Sequence, residues 1–173
     1  DLLPLVAPVG QALSVISKDV AALLGLPPTI TIYAGATDSI AAFLACAPLN
    51  LGAAVTSLGT TFTVKMLSLK RTDAPEIGLY SHRLGDHWLV GGASNTGGGV
   101  LCHFFNVDQL KSLSQQIDPS VESPLDYYPL LKAGERFPIN DPNLAPRMAP
   151  RPDSDVDFLH GLLESMARIE VRC

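Results

Sequence analysis

The sequence has 173 residues, of which 47% are hydrophobic and 17% are charged, and its formal net charge is −5. This is enough apolar material for one globular core, or for parts of two. The acidic balance argues against a nucleic-acid or anionic-membrane partner, and no apolar stretch reaches the ~20 uninterrupted residues that a membrane helix needs. Its three cysteines are widely spaced without a Cys-x-x-Cys pair, so neither a disulfide framework nor a zinc site is indicated.

The first 50 residues are predicted to form a helix, a buried strand and a second helix. The helix covers "QALSVISKDVAALLG" and ends at Gly25, before two prolines. The strand is the β-branched run "TITIYAG". The second helix is the alanine-rich "DSIAAFLACA", for which Thr37 or Asp38 is the natural N-cap.

After residue 51 the pattern changes to short strands and later returns to helices. Four strands are predicted over "AAVTSLG", "TTFTVKMLSL", "GLYSHRL" and "HWLVGGA", with tight turns at Gly59–Thr60 and Gly85–Asp86. Helices follow over "GGGVLCHFF" and "DQLKSLSQQI". Residues 119–156 contain eight prolines and are predicted to be irregular, and "DSDVDFLHGLLESMARIE" forms a closing amphipathic helix. We therefore expect a domain boundary near residue 50.

Asp38 is the first candidate for chemistry. It is the one formal charge in the 45 residues from 20 to 64. It stands where a strand passes into a helix, which is where open α/β sheets collect ligands. A carboxylate there can take a proton from a substrate hydroxyl. Aspartate is equally a favoured helix cap, so the sequence alone leaves both roles open.

The stretch "SLGTTFTV" is the second candidate. A glycine followed by two threonines at a hairpin tip offers backbone N–H groups and hydroxyls to a phosphate, although an ordinary strand pair has the same composition. The run "GGASNTGGG" lacks the lysine of a P-loop and has no G-x-G-x-x-G register. Its glycines allow close backbone approach, for packing or for a ligand; the sequence leaves both open, and we favour packing. In "KAGERFPINDPN", Glu135 and Arg136 suggest a local salt bridge beside an Asx turn at Asn140–Asp141.

Taken in order, "AGATDSIAAFLA", "AVTSLGTT", "GERFPINDPN" and "LLESMARIE" resemble the FGGY family of carbohydrate kinases, of the actin-like ATPase superfamily. The run "GLYSHRLGDHWLVGGASNTGGGVL" is most similar to the D-ribulose kinase or xylulose kinase-like branch. The resemblance implies a partial actin-like (ribonuclease H-like) α/β fold. Residues 1–50 would end the first domain, and residues 51–173 would begin the second.

The resemblance also implies the site. Asp38 matches the family's catalytic base, and Ser39 matches a sugar-contacting position. Gly59, Thr60 and Thr61 match a phosphate-binding hairpin for ATP, used with Mg²⁺, while no residue is assigned as a metal ligand. The family's Asp-x-Gly-Thr phosphate loop and its later adenosine-binding motif are absent from these residues. We therefore expect an internal piece of a longer enzyme that is inactive alone.

The expected function of the intact protein is ATP-dependent phosphorylation of a ketose, with D-ribulose first and D-xylulose or another sugar as the alternative. The expected partners are the sugar and ATP, with no nucleic acid or membrane. The expected compartment is the cytoplasm, or a plastid if a transit peptide precedes these residues. A non-catalytic remnant, or a binding module in which Asp38 is only a cap, is the alternative of another class.

Overall fold

The computed structural model describes residues 5–47 and 49–173. Its elements include six strands and five helices within those ranges, together with a 3₁₀ turn at Pro75–Ile77. In chain order they are β1 (Ala12–Val15), α1 (Lys18–Leu24), β2 (Thr31–Tyr33), α2 (Asp38–Cys46), β3 (Ala54–Leu58), β4 (Phe62–Ser68), β5 (Tyr80–Leu84), β6 (His87–Ser94), α3 (Gly98–Phe104), α4 (Val107–Ser114) and α5 (Asp155–Glu170).

The first predicted helix is wrong in its first half. Residues 12–15 form β1, which pairs antiparallel with β2 and places Val15 opposite Thr31. The helix begins only at Lys18, because the Ser17 side chain accepts a hydrogen bond from the Val20 backbone N–H and caps α1. Gly25, at φ 66°, ends α1 as predicted.

The strand predicted over "TITIYAG" exists as β2, but the prediction that it is buried is wrong. Ile32 is 42% exposed and Tyr33 is 59% exposed in the part of the chain that the structure describes. A run of β-branched and aromatic residues therefore gave the correct backbone conformation and the wrong environment, because burial depends on what packs against the strand.

The four strands predicted after residue 51 are confirmed. They form one antiparallel sheet in the order β3-β4-β6-β5. Residues 59–61 connect β3 to β4, and Gly85 and Asp86 connect β5 to β6. The tight β3–β4 connection places the predicted phosphate-binding residues at one end of the sheet.

Helix α2 packs on one face of this sheet. Its buried residues Ile40 and Phe43 contact Leu67 of β4 and Leu89 of β6, and all four are at most 7% exposed. The helix that carries Asp38 is thus held on the same sheet that carries the β3–β4 turn.

The proline-rich segment is irregular, as predicted, and covers the opposite face of the sheet. Gly92 lies three residues after Leu89, so alternation directs it away from α2. A Cβ on Gly92 would lie 2.2 Å from Cγ of Phe137, which explains why a glycine is needed there. A second core joins α3 to α5 through Val100, Leu101, Phe158, Leu162 and Met166, among others. None of the described helices is long and apolar enough to cross a membrane.

Candidate active site

Asp38 is the first residue of α2 and not its cap. Thr37 occupies the N-cap position in extended backbone, although its side chain makes no capping hydrogen bond. Asp38 is exposed, and its Oδ1 accepts the backbone N–H of Ser39 at 2.6 Å. A carboxylate in the first turn of a helix is stabilised by the helix dipole while remaining free to meet a ligand. Thr37 is therefore the N-cap residue, while the Asp38 side chain accepts one of the N–H groups of the first helical turn.

Ser39 lies beside Asp38 and points toward the sheet. Its hydroxyl lies 3.3 Å from the Thr37 hydroxyl and 3.4 Å from Nζ of Lys65 in β4. Ser39 and Lys65 share a cavity of about 100 Å³ with Ser57 and Thr63. The α2 N-terminus is thus joined to the sheet by a polar contact as well as by its apolar face.

The β3–β4 turn docks on the glycine run that follows β6. The backbone N–H of Gly98 donates to the Gly59 carbonyl at 2.7 Å, and that of Gly99 donates to the Thr60 carbonyl at 3.0 Å. A Cβ on Gly98 would lie 2.7 Å from the Gly59 oxygen, so a side chain there would push the turn away. The structural interpretation of "GGASNTGGG" agrees with this packing.

Thr60 and Gly99 also line a cavity of about 370 Å³ at this end of the sheet. Thr60 and Thr61 form one side of it, and Asn95 and Gly99 form another. The remaining lining residues are Val100, Leu130, Leu131 and Lys132. A cavity of this size has hydroxyls, an amide and an ammonium around an apolar floor, which suits a phosphorylated ligand.

Glu135 positions Asn95. Its buried carboxylate accepts the Ser94 hydroxyl and the Asn95 backbone N–H, both at 2.6 Å, and the Arg136 backbone N–H at 2.7 Å. The Arg136 side chain donates from Nε to the Asn95 amide oxygen at 2.6 Å. The predicted local salt bridge between Glu135 and Arg136 is therefore wrong, because both side chains are used to hold residues 94–95. The Asx turn is found at Asp141, whose Oδ1 accepts the Asn143 backbone N–H at 2.8 Å.

The predicted site residues are not brought into one pocket. Ser39 lines the smaller cavity and Thr60 and Thr61 line the larger one, whereas Asp38 and Gly59 line neither. Sequence reasoning missed Lys65, Asn95 and Lys132. Lys65 had a signal, since it is the first charge after Asp38 and occurs within a strand. Asn95 and Lys132 had none, because they approach the cavity only through tertiary structure.

The residues present fit a nucleotide phosphate better than a metal centre built by the protein. In residues 5–47 and 49–173, no three His, Cys, Asp or Glu side chains are grouped so that they could hold a metal ion. Thr60 and Thr61 bring hydroxyl side chains to the larger cavity. A side chain at Gly99 would crowd this turn, because its Cβ would lie 2.9 Å from the Thr60 oxygen.

The fold of this chain is similar to part of the fold of solved sugar kinases. The chain superimposes on a xylulose kinase from Brucella ovis with a TM-score of 0.74 and 21% identity, over 96% of this chain and 36% of that one. A gluconate kinase from Lactobacillus acidophilus gives a TM-score of 0.73 and 19% identity, over 92% of this chain and 34% of that one. The predicted actin-like α/β fold, present in part, is confirmed.

The sequence is also similar to that of a gluconokinase. It is 25% identical to gluconokinase from Bacillus subtilis (strain 168) over 146 residues, which are 74% of this chain and 28% of the relative. No protein-family model matches the sequence. The chain spans about a third of the length of the kinases it resembles. The predicted resemblance to FGGY-type sugar kinases is confirmed at the level of the fold.

Proposed function

We propose that this chain is the central part of an FGGY carbohydrate kinase, with residues 1–50 closing the first domain and residues 51–173 opening the second. A protein that carries it at the length of its relatives would transfer the γ-phosphoryl group of ATP to a hydroxyl of a polyhydroxy acceptor. The observation that supports this most strongly is that α2, which begins at Asp38, packs on the same sheet that carries the β3–β4 turn. Ile40 and Phe43 of α2 fix the exposed carboxylate on the sheet whose turn presents Thr60 and Thr61 to a cavity.

In this proposal, Asp38 accepts the proton of the acceptor hydroxyl as the oxygen bonds to the γ-phosphorus and the bond to the leaving ADP oxygen breaks. Thr60 and Thr61 hold phosphate oxygens, and Ser39 contacts the acceptor. Mg²⁺ supplies neutralisation of the phosphate charge, and it commonly binds through one or two carboxylates together with phosphate oxygens and water.

D-Ribulose is our first candidate acceptor, because the resemblance of residues 78–101 favours it. The named relatives act on other substrates, xylulose and gluconate, so D-xylulose and D-gluconate are the direct competitors. All three are open-chain or readily opened polyhydroxy compounds.

The test measures release of ADP by a protein that carries this chain and has the full length of its relatives. The assay contains Mg-ATP and, in turn, D-ribulose, D-xylulose, L-ribulose, D-gluconate or glycerol. We expect one acceptor to be preferred. Asp38→Asn should lower kcat by about 10²–10⁴-fold, the usual contribution of a general base, while nucleotide affinity stays unchanged. Asp19→Asn, which alters the first turn of α1, is the matched control and should leave kcat unchanged.

Turnover of Asp38→Asn near that of the wild type would contradict the role of Asp38. Nucleotide binding without turnover of any acceptor would instead favour a non-catalytic binding module. Absence of both would favour a remnant without chemistry.

A further inference from the structure

Lys132 is the charged residue in the lining of the larger cavity. Within the described ranges, no carboxylate lines this cavity, although the whole chain has a formal net charge of −5. The lining residues other than Lys132 are uncharged: Thr60, Thr61, Asn95, Gly99, Val100, Leu130 and Leu131. A cavity with an ammonium and hydroxyls, and without a carboxylate, is complementary to an anion.

The backbone that carries Lys132 is anchored on both sides. Leu130, two residues earlier, is 1% exposed and belongs to a core with Ile169. Gly134, two residues later, donates its backbone N–H to the Leu144 carbonyl at 2.9 Å. The Lys132 side chain itself is exposed. A ligand that bound the ammonium would therefore have to order one side chain and not a loop, which keeps the entropic cost of the contact small.

Asn95 joins this segment to the end of the sheet that carries the β3–β4 turn. Its side-chain Nδ2 donates to the Gly134 carbonyl oxygen at 2.9 Å. The residue after the turn, Phe62, donates its backbone N–H to the carbonyl of Thr96, the residue after Asn95, at 2.7 Å. The position of the Lys132 backbone relative to the turn is thus set by hydrogen bonds through residues 95 and 96.

One negative charge lies behind the cavity, and a second cation offsets it. The buried Glu135 carboxylate accepts the Asn95 backbone N–H at 2.6 Å. Nε of Arg136 donates to the Asn95 side-chain oxygen at 2.6 Å, which places its guanidinium against the same residue that Glu135 holds. Counted together, Lys132, Glu135 and Arg136 carry one net formal positive charge. The 132–136 segment is therefore cationic at the edge of the cavity.

We propose that Lys132 is a further nucleotide-binding residue, whose ammonium pairs with phosphate oxygens while Thr60 and Thr61 hold the phosphate chain from the turn. The inference rests on the proposed function and deepens it, because it adds a charged contact to a site for which the sequence offered N–H groups and hydroxyls alone. Hydrogen bonds from a charged donor to a phosphate are stronger than those from neutral donors, and phosphoryl transfer depends on such positioning and neutralisation.

The test is the affinity for a non-hydrolysable ATP analogue, measured by calorimetry on a protein that carries this chain and has the full length of its relatives. Lys132→Met removes the charge and keeps most of the length of the side chain. We expect it to bind the analogue about tenfold more weakly, the effect of losing one hydrogen bond to a charged group. Its affinity should also depend less on salt concentration than that of the wild type, since one screened charge pair is gone.

Two further variants serve as controls. Lys132→Arg should keep most of the affinity and the salt dependence, because it keeps the charge. Lys111→Met removes an exposed lysine from α4, outside the cavity, and should bind as the wild type does.

Unchanged affinity in Lys132→Met would overturn the proposal. So would weaker binding with the salt dependence of the wild type, because that result indicates a disturbed cavity wall and not a lost charge. The double variant Thr60→Val/Thr61→Val separates these outcomes from failure of the proposed function. If it binds the analogue weakly while Lys132→Met binds it as the wild type does, the turn is the phosphate site and the Lys132 contact alone is wrong. A wild-type protein that binds no nucleotide would overturn both proposals.

Discussion

The Ser94 hydroxyl donates a 2.6 Å hydrogen bond to the carboxylate of Glu135, a residue 41 positions later in the chain. Ser94 is fully buried and Glu135 is 2% exposed. The pair joins the end of β6 to the proline-rich segment, and the same carboxylate holds the backbone of Asn95 at the edge of the larger cavity. A structural contact between distant residues therefore shapes the surface at which the nucleotide is proposed to bind.

Replacing Glu135 by glutamine should destabilise the protein. The carboxylate accepts hydrogen bonds from Ser94, Asn95 and Arg136, whereas an amide nitrogen cannot accept. We expect Glu135→Gln to lower the free energy of unfolding by about 1–3 kcal/mol, the cost of leaving a buried polar group poorly paired. Chemical denaturation measures this, with the exposed Glu76→Gln as the control. Ser94→Ala should cost less in the Glu135→Gln background than in the wild type, and equal costs would contradict the pairing.

Replacing the threonines of the β3–β4 turn should change the KM for ATP and not the KM for the acceptor. Thr60 and Thr61 line the larger cavity, whereas Ser39 lines the smaller one. Removing both hydroxyls with valine should raise the KM for ATP by about tenfold, the effect of losing one or two hydrogen bonds to a charged group, and leave the acceptor KM unchanged. Thr72→Val, at an exposed position outside both cavities, is the control. A rise confined to the acceptor KM would assign the turn to the sugar.

Gly98 should tolerate no side chain. Its Cβ would lie 2.7 Å from the Gly59 carbonyl oxygen, which accepts the Gly98 N–H, so Gly98→Ala has to displace the turn. We expect a loss of about 1–3 kcal/mol of stability, typical of overpacking, together with weaker nucleotide binding. Gly35→Ala is the matched control, because nothing lies within 4 Å of its Cβ position and its φ is not in the left-handed region. Unchanged nucleotide affinity in Gly98→Ala would show that the turn is not the phosphate site.

Local signals in the sequence were sufficient for most of the fold. Hydrophobic alternation and turn residues located β3 to β6, and Gly25 located the end of α1. The error at β1 arose because Val15 and Ile16 satisfy a helical pattern and a strand pattern equally. The pairing with β2, which decides between the two, is a tertiary interaction.

For the candidate site, the sequence predicted positions along the chain and not contacts in space. It placed Asp38 where a strand passes into a helix, and α2 begins at that residue. The use of Glu135 was not predictable, because its neighbour Arg136 is the obvious partner in sequence while Ser94 is the partner in space. The direction of Lys65 toward Ser39 depends in the same way on how α2 lies on the sheet.

The stability of the protein should depend on pH through His82. Burial, and then the charge of Lys65, lowers the pKa of His82 below its ordinary value near 6.5. The unfolded chain therefore binds a proton at this residue at pH values where the folded chain does not. Since stability rises with pH wherever the unfolded state binds more protons, it should fall as the pH drops below 6.5, until the folded pKa is reached. Denaturation at pH 7 and at pH 5 should show a smaller loss for His82→Gln than for the wild type, with His87→Gln as the matched control.

Replacing Lys65 by methionine gives a second test of this prediction, because the Lys65 ammonium is the second of the two causes that lower the pKa of His82. Without it, the pKa of His82 should lie closer to 6.5 and the loss of stability between pH 7 and pH 5 should be smaller than in the wild type. If stability depends on pH identically in the wild type, His82→Gln and Lys65→Met, then His82 takes up its proton equally in the folded and unfolded chains. That result would also show that the charge of Lys65 is not felt across the sheet.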